Sequence, residues 1–312
     1  MKKVQLTLLI VAVFGLSSAM AGETVITPEW RQQVLSHHTQ FPTVQTTYHV
    51  QDFSLVNAPQ PMKERWIEEL NEYSRILQQR AAGTLSADEQ ERYSEISSAS
   101  LEKMVQERET YLRKAPEEAV QVMTVNHDRY RRDLFRETVQ PNKVLTLFDG
   151  MNWSVITPDD QRIRTGEGIG QNYDFFLKFA VYGSGLHTML TSDYHVEISE
   201  EGLHFTAWNR QMDEKGFRAQ FTLYEPNPVY WQKCVILQNG TKIARHVCED
   251  FTNVNGKLIP STVKEQKWLH GGWQDQRVFT LMDAKVNDDV QLQEGFFETP
   301  SADSFELVRL NR

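Results

Sequence analysis

The spacing of apolar residues near the start of the chain predicts a helix followed by a strand. Thr27, Pro28 and Glu29 form a helix-start combination of a capping residue, a first-turn proline and an acidic side chain. Trp30, Val34 and Phe41 then recur on one side of a helix over 28–41. From Pro42 the pattern becomes that of a β-strand, over about 44–55.

The next segment has a different composition and predicts two charged helices. Helical spacing of apolar residues is followed by Gly83, a residue that commonly ends a helix. The sequence Ser86-Ala87-Asp88-Glu89 is a capping box that begins a second helix, which we expect to run to about Lys114. We predict an antiparallel helical pair, at about 60–115, inserted into a β domain. The apolar positions of the first helix are Met62, Trp66, Leu70, Tyr73 and Leu77.

The rest of the chain alternates as β-strands, with one exception. Residues 172–182 are apolar around most of a helix, which predicts a helix buried in the hollow of a curved sheet. In the hairpin over 193–208, a loop at 199–202 sets Ile198 opposite Leu203. That register predicts an apolar face and a polar face. The apolar face holds Tyr194, Val196, Ile198, Leu203, Phe205 and Ala207, and the polar face holds His195, Glu197, His204 and Thr206.

These elements predict an α+β fold. We expect one strongly bent antiparallel sheet, apolar inside and polar outside, carrying the inserted helical hairpin. Gly271-Gly272 offers a tight turn between two late strands, and the last strand ends near Val286. We expect residues 22–312 to form a single domain.

The first residues predict export. Lys2 and Lys3 precede an apolar run over 4–16, and Ala19-Met20-Ala21 supplies a small-x-small cleavage site. We interpret residues 1–21 as a signal peptide and expect a periplasmic protein without a transmembrane segment. Its removal changes the formal charge from −9 to −11, because two lysines are lost. An acidic chain argues against nucleic acid and against anionic lipid surfaces as partners.

Both cysteines lie in one predicted hairpin. Asn239-Gly240 favours a two-residue turn, which sets Cys234 opposite Arg245 and leaves Cys248 on the other face of the sheet. That register opposes a disulfide, although an oxidising compartment favours one. A bulge within 243–246 would change the parity, so the sequence leaves the bridge open.

No catalytic constellation is visible in the sequence, so we expect neither an enzyme nor a cofactor. The register above brings His195, Glu197 and His204 to one face, where they could hold zinc in a metal-dependent hydrolase. A solvated polar face explains the same residues without a metal, and we favour that interpretation.

A stretch of about thirty residues resembles a known family. From Arg131 to Gln161 the chain resembles the LolA family, the periplasmic lipoprotein carriers of the Lol system and their relatives. Residues 296–300 resemble the closing Phe-x-x-Pro strand of that family. The shared features are Arg131, Leu134-Phe135, Gln140-Pro141, Asp149-Gly150, Trp153 and Pro158.

The resemblance implies an incomplete β-barrel whose hollow shields the acyl chains of lipoproteins or lipids, as a chaperone does. It also implies that Arg131 is the latch that tethers the covering helices, although Arg132 beside it makes the assignment ambiguous. The helical insertion has no counterpart in the short carriers. An exported scaffold that uses the insertion to bind a protein partner is therefore the alternative function. The predicted lipid-binding residues are Arg131, Trp153, Phe176, Phe179, Phe205 and Phe221.

Overall fold

A computed structural model describes most of the chain. The described residues are 27–112, 115–127, 129–136, 144–148, 152–157, 162–167, 195–198, 203–208, 210–269, 271–299 and 306–309. The predicted signal peptide and the predicted helix over 172–182 lie outside them.

Among the described residues, helices are concentrated in the first third of the chain, and strands make up most of the remainder. The helices are α1 (Pro28–Gln40), α2 (Gln60–Ala82), α3 (Ala87–Arg92), α4 (Ser98–Tyr111) and α5 (Arg210–Glu214). The first seven strands are β1 (Thr43–Asp52), β2 (Glu117–Asn126), β3 (Arg129–Arg136), β4 (Val144–Phe148), β5 (Asn152–Thr157), β6 (Arg162–Glu167) and β7 (His195–Ile198). The others are β8 (His204–Trp208), β9 (Phe217–Leu223), β10 (Trp231–Gln238), β11 (Thr241–Val254), β12 (Lys257–Leu269), β13 (Gly272–Val286) and β14 (Glu306–Arg309).

All the described strands belong to one sheet. Their order is β14-β6-β5-β4-β3-β2-β1-β13-β12-β11-β10-β9-β8-β7. Neighbours are antiparallel except β14 and β6, which are parallel. The first strand therefore joins two antiparallel meanders, and within the described residues the sheet is not closed into a barrel. The predicted α+β fold with an open antiparallel sheet is confirmed, whereas β14 was not predicted.

One face of the sheet, here called the inner face, carries a single apolar core. This core joins residues from both meanders to helix α1, so the sheet bends around that helix. Burial of this continuous surface is the main favourable contribution to folding. Its largest fully buried members are Tyr48, Met123, Phe221, Trp231 and Phe279.

Helix α1 begins as predicted and lies against the inner face. The Thr27 hydroxyl accepts a hydrogen bond from the backbone N–H of Trp30, at 3.2 Å, and Pro28 occupies the first turn. Trp30, Val34 and Phe41 are all buried in the inner core. The predicted apolar stripe therefore attaches the helix to the sheet.

The helical insertion differs from its prediction in one respect. The predicted second helix is wrong as a single element, because it consists of α3 and α4 separated by a turn at 93–97. The capping box at Ser86 and Glu89 is present, and a second cap follows, since the Ser97 hydroxyl accepts from the N–H of Ser100. Serines that cap a new helix compete with continuation of the old one.

A β-bulge changes the predicted register of the cysteine hairpin. Leu237 pairs with Lys242 but Ile236 pairs with Ala244, so Ile243 is an extra residue. Cys234 then faces His246, and Cys248 lies two residues further along the same face. The prediction that the two thiols lie on opposite faces is wrong. Both are buried as free thiols.

The hairpin of β7 and β8 keeps its predicted apolar and polar faces, but its loop is longer than predicted. Ile198 pairs with Phe205 instead of Leu203, a shift of two residues. Because the side-chain period of a strand is two, this shift leaves the described residues of the hairpin on their predicted faces. Phe205 and Ala207 are buried in the inner core.

Candidate functional site

The inner face of strands β3 to β5 carries apolar side chains that are incompletely covered. Tyr130 pairs with Phe148, which pairs with Trp153, and the first two rings stack with centroids 5.9 Å apart. On the same face of these strands, four apolar side chains are only partly buried. We call these residues the inner strip: Leu134, Val144, Trp153 and Val155.

The predicted lining residues Phe205 and Phe221 lie in the other meander, beneath helix α1. Their rings stack with centroids 4.8 Å apart, and Phe205 also contacts Trp30 edge-on at 6.5 Å. The Trp30 indole N–H donates to the carbonyl of Pro228 at 2.9 Å. The helix therefore occupies this part of the inner face. Phe176 and Phe179 lie outside the described residues.

Arg131 lies on the outer face of the sheet, on the side opposite the inner core. It pairs with Leu147, whereas the inner core holds its neighbour Tyr130. Its guanidinium forms an ion pair with Asp133, with Nε to Oδ2 at 2.8 Å, and donates to the carbonyl of Phe296 at 3.2 Å. The guanidinium carbon also lies 4.6 Å from the centre of the Phe296 ring. In the structure, Arg131 contacts the segment after β13 and not helix α1.

Of the two adjacent arginines, Arg132 shares the face of the inner strip. It pairs with Thr146 and donates to the hydroxyl of that residue at 3.0 Å. Alternation along a strand sends consecutive side chains to opposite faces, which resolves where each arginine points. The spacing of the motif alone could not settle this, because it does not determine the register of β3.

The segment after β13 covers the outer face near Arg131. Phe297 is buried with Arg129 over its ring at 5.2 Å, and the hydroxyls of Thr299 and Ser154 lie 2.9 Å apart. Residues 294–298 form turns, so the predicted closing strand at 296–300 is wrong over its described residues. Beneath lies a second small core, formed by Leu145, Leu147, Ile156 and Ile163.

The less favoured interpretation of the sequence, a zinc site at His195, Glu197 and His204, is not supported by the structure. The imidazole of His195 stacks on Trp208, with ring centroids 5.8 Å apart, and Nδ1 of His204 lies 3.1 Å from the Thr222 hydroxyl. Within the residues that the structure describes, no group of three or more histidine, cysteine or acidic side chains is placed to hold a metal.

Sequence reasoning missed a buried polar cluster where helix α1 ends. The Tyr230 hydroxyl lies 2.6 Å from Nε2 of His37 and accepts from the N–H of Leu258 at 3.0 Å. The Lys257 ammonium lies 5.4 Å from the ring centre of Phe41 and 5.8 Å from that of Tyr230. Burial lowers the pKa of Lys257 to about 7. Burial, with the neighbouring Lys257 charge, lowers the pKa of His37 to about 4.

A second buried polar group lies within the inner face itself. The Glu265 carboxylate forms an ion pair with Arg277 at 2.9 Å, and His246 lies 4.0 Å from the same carboxylate. Burial, with the charge of Arg277, lowers the pKa of His246 to about 3, so this imidazole is neutral at ordinary pH. The available sequence signal was Glu265 in alternation with the apolar Val263. It indicates an acidic side chain on the buried face of β12.

The described residues form an α+β protein whose open, curved sheet surrounds a helix. Three solved structures are similar to it at low sequence identity. A LolA superfamily protein from Nitrosomonas europaea is 10% identical, with a TM-score of 0.44 over 86% of this chain and 97% of that one. A domain from Vibrio parahaemolyticus, assigned to outer membrane lipoprotein sorting, is 7% identical, with a TM-score of 0.49 over 86% and 95%. A DUF1329 family protein from Desulfovibrio piger is 9% identical, with a TM-score of 0.47 over the same shares.

One of these similar structures, the Nitrosomonas europaea protein, is from the LolA superfamily, which the motifs after Arg131 also resemble. No protein-family model matches the chain, and no curated protein matches it. Among the described helices, none is both long enough and apolar enough to cross a membrane.

Proposed function

We propose that this protein is an exported, non-enzymatic carrier that binds acyl chains of lipoproteins or lipids on the inner face of its sheet. The observation that carries the proposal is the inner strip. Leu134 and Trp153 pack against the buried core yet keep part of their surface uncovered. An apolar surface in continuity with a core is suited to a guest with hydrocarbon chains.

Acyl binding requires apolar area and no reactive group. Each methylene removed from water contributes about 0.8 kcal/mol, so a chain lying along the strip gains most of its affinity from length alone. A signal peptide at 1–21 and a periplasmic location belong to the same proposal, since lipid cargo needs shielding in an aqueous compartment. Two of the similar structures, a LolA superfamily protein and a lipoprotein-sorting domain, support this class of cargo.

The proposed lining residues have different roles. Trp153 would contact cargo directly, whereas Phe205 and Phe221 would be reached only where the cargo displaces helix α1. Phe176 and Phe179 remain part of the proposed lining. The resemblance implies a latch at Arg131. Of the two adjacent arginines, however, Arg132 is the one whose side chain lies on the inner face.

A binding assay with a fluorescent fatty acid tests the proposal. We expect the wild-type protein to bind the probe and to unfold at a higher temperature when palmitate is present, because a ligand that binds only the folded state stabilises it. Trp153→Ala should weaken probe binding about tenfold, equivalent to about 1.4 kcal/mol.

Trp66→Ala is the matched control. Trp66 is also a partly buried tryptophan, but it packs on Tyr111 within the helical insertion. The Trp66→Ala substitution should leave the affinity for the fatty-acid probe unchanged. Wild-type protein that neither binds the probe nor gains thermal stability would refute the carrier proposal, as would equal losses in the two variants.

The helical insertion supports the second candidate function, that of a scaffold. It has a core of its own around Ile76, Tyr93 and Leu101, separate from the core of the sheet. Helices α2 and α4 are also joined by an ion pair between Glu69 and Arg108, at 2.5 Å. Replacing residues 60–112 by a short linker discriminates between the candidates. A carrier should still bind the probe, whereas a scaffold should lose its protein partner.

A further inference from the structure

One end of the outer face carries three tryptophans, each with a cationic side chain over its ring. They come from strands β8, β12 and β13, and the cations come from β9 and β11. We call the three indoles the tryptophan belt. The pairs, with distances from cation to ring centre, are Arg218 on Trp208 (4.6 Å), Lys242 on Trp268 (6.0 Å) and Arg245 on Trp273 (4.6 Å).

The strand registers place these pairs side by side. Arg218 faces Leu237, which faces Lys242, and Trp268 faces Trp273 across the next hairpin. The residues next to them in sequence, such as Ala219 and Ile236, belong to the inner core. Alternation therefore puts the belt and its cations on the opposite, outer face.

The bulge in β11 is what aligns two of the cations. Lys242 and Arg245 are three positions apart and would point to opposite faces of a regular strand. The extra residue Ile243 changes the parity, so Lys242 pairs with Leu237 and Arg245 pairs with Val235 on the same face. The same residue turns its own side chain toward the inner core. A bulge commonly redirects side chains in this way.

The belt offers apolar surface and positive charge to solvent together. The side chain of Trp268 is 37% exposed, although tryptophan is usually well buried. Arg218 is paired with Asp213 at 2.5 Å, and Arg245 bonds to Gln266. Lys242 has no carboxylate within ion-pair distance among the residues that the structure describes. The belt is locally cationic through Lys242, although the overall charge of −9 argues against anionic lipid surfaces for the chain as a whole.

We propose that the tryptophan belt docks this protein on the surface of a lipid bilayer that contains anionic lipids. Indole rings favour the boundary between headgroups and acyl chains, and neighbouring lysine and arginine side chains are attracted to anionic headgroups. The three cation–indole pairs combine both preferences at one end of the strands, on the outer face. Docking goes beyond the proposed acyl binding, because it uses the outer face and needs no guest inside the protein.

Vesicle co-sedimentation tests the inference. Wild-type protein should bind vesicles of phosphatidylcholine with phosphatidylglycerol, should release them at high salt, and should bind pure phosphatidylcholine weakly. Lys242→Gln should weaken binding about fivefold, the contribution of one cation near an anionic surface. Trp268→Ala should weaken it at least as much, and brominated lipids should quench tryptophan fluorescence in the wild type but less in this variant.

The matched control is Lys285→Gln, an exposed lysine on the outer face at the opposite end of β13. It should bind vesicles as the wild type does, and all variants should keep the wild-type unfolding temperature and fatty-acid affinity. The inference is overturned by equal binding to both kinds of vesicle, by equal effects of Lys242→Gln and Lys285→Gln, or by binding to neither vesicle. A wild-type protein that binds anionic vesicles but does not bind fatty acid would instead count against the carrier proposal alone.

Discussion

The two buried cysteines illustrate how burial controls reactivity. Burial raises the pKa of the Cys234 thiol, with a further contribution from Cys248, and burial also raises the pKa of Cys248. Side chains at diagonal positions across two strands have α-carbons about 7–8 Å apart, at or beyond the limit for a disulfide.

We therefore predict that both thiols stay reduced and unreactive in the folded protein. A thiol reagent should modify almost none under native conditions and both cysteines after denaturation, because only the exposed thiolate reacts. A Cys234→Ala variant should show one reactive thiol in denaturant and serves as the control. Absence of reactive thiols in denatured wild-type protein would demonstrate a disulfide and refute the prediction.

The cluster under helix α1 makes stability depend on pH. Burial lowers the pKa of Lys257 from 10.5 to about 7, so the unfolded chain binds more protons between these values. Stability should then rise as the pH increases from about 7 to 10.5. The lowered pKa of His37, about 4 against 6.5, has the same sign and makes stability fall as the pH decreases from 6.5 to about 4.

Lys257→Met tests this dependence. Replacing a buried charge with an apolar side chain of similar length should raise the free energy of unfolding below pH 7 by about 1–4 kcal/mol. It should also flatten the rise between pH 7 and 10.5, as measured by denaturant unfolding. The exposed Lys267→Met should change neither quantity. A Lys257→Met variant that is less stable than the wild type at every pH would contradict the prediction that burying the Lys257 charge destabilises the protein.

Single residues were predictable where the local pattern determines their environment. Phe205 lies on the inner face as the alternation indicated. The side of the sheet taken by Arg131 was not predictable, since it follows from the register of β3 against β2 and β4. The Lys257 environment was equally hidden, because a lysine that starts a strand is usually solvated.

At the scale of elements, helix α1 is the part whose packing decides access to the inner face. We predict that Trp30→Ala destabilises the protein by about 3–5 kcal/mol, the usual cost of deleting a buried indole. Leu35→Ala is the control, since this side chain is 36% exposed and its loss should cost about 0.5 kcal/mol or less. Chemical denaturation measures both. Equal costs would show that α1 is not anchored through Trp30.

Helix starts and turns were the most predictable elements, and interruptions the least. Thr27, Ser86 and Asn239-Gly240 act through local backbone chemistry, and each is found where the sequence indicates. The break between α3 and α4 and the bulge at Ile243 depend on which side chains the surrounding structure buries. A bulge adds no distinctive residue type, so its position follows from packing across neighbouring strands.

At the scale of the molecule, the open antiparallel sheet followed from the alternation of the strands, but its order did not. Strand β1 lies between β2 and β13, a neighbour more than two hundred residues away in sequence. One core joins both meanders, because inner-face residues of β1 to β5 and of β8 to β13 pack together with α1. This arrangement predicts that the sheet unfolds as one unit.

The helical insertion should instead unfold separately, because its core is distinct. Leu101 is fully buried there, and Leu101→Ala should cost about 2–5 kcal/mol in the stability of the insertion alone. Hydrogen exchange should show faster opening of residues 60–111 in this variant, with unchanged protection in β11 to β13. Phe279→Ala, in the core of the sheet, should produce the reverse pattern. A single transition that both variants shift equally would mean that the two cores form one cooperative unit.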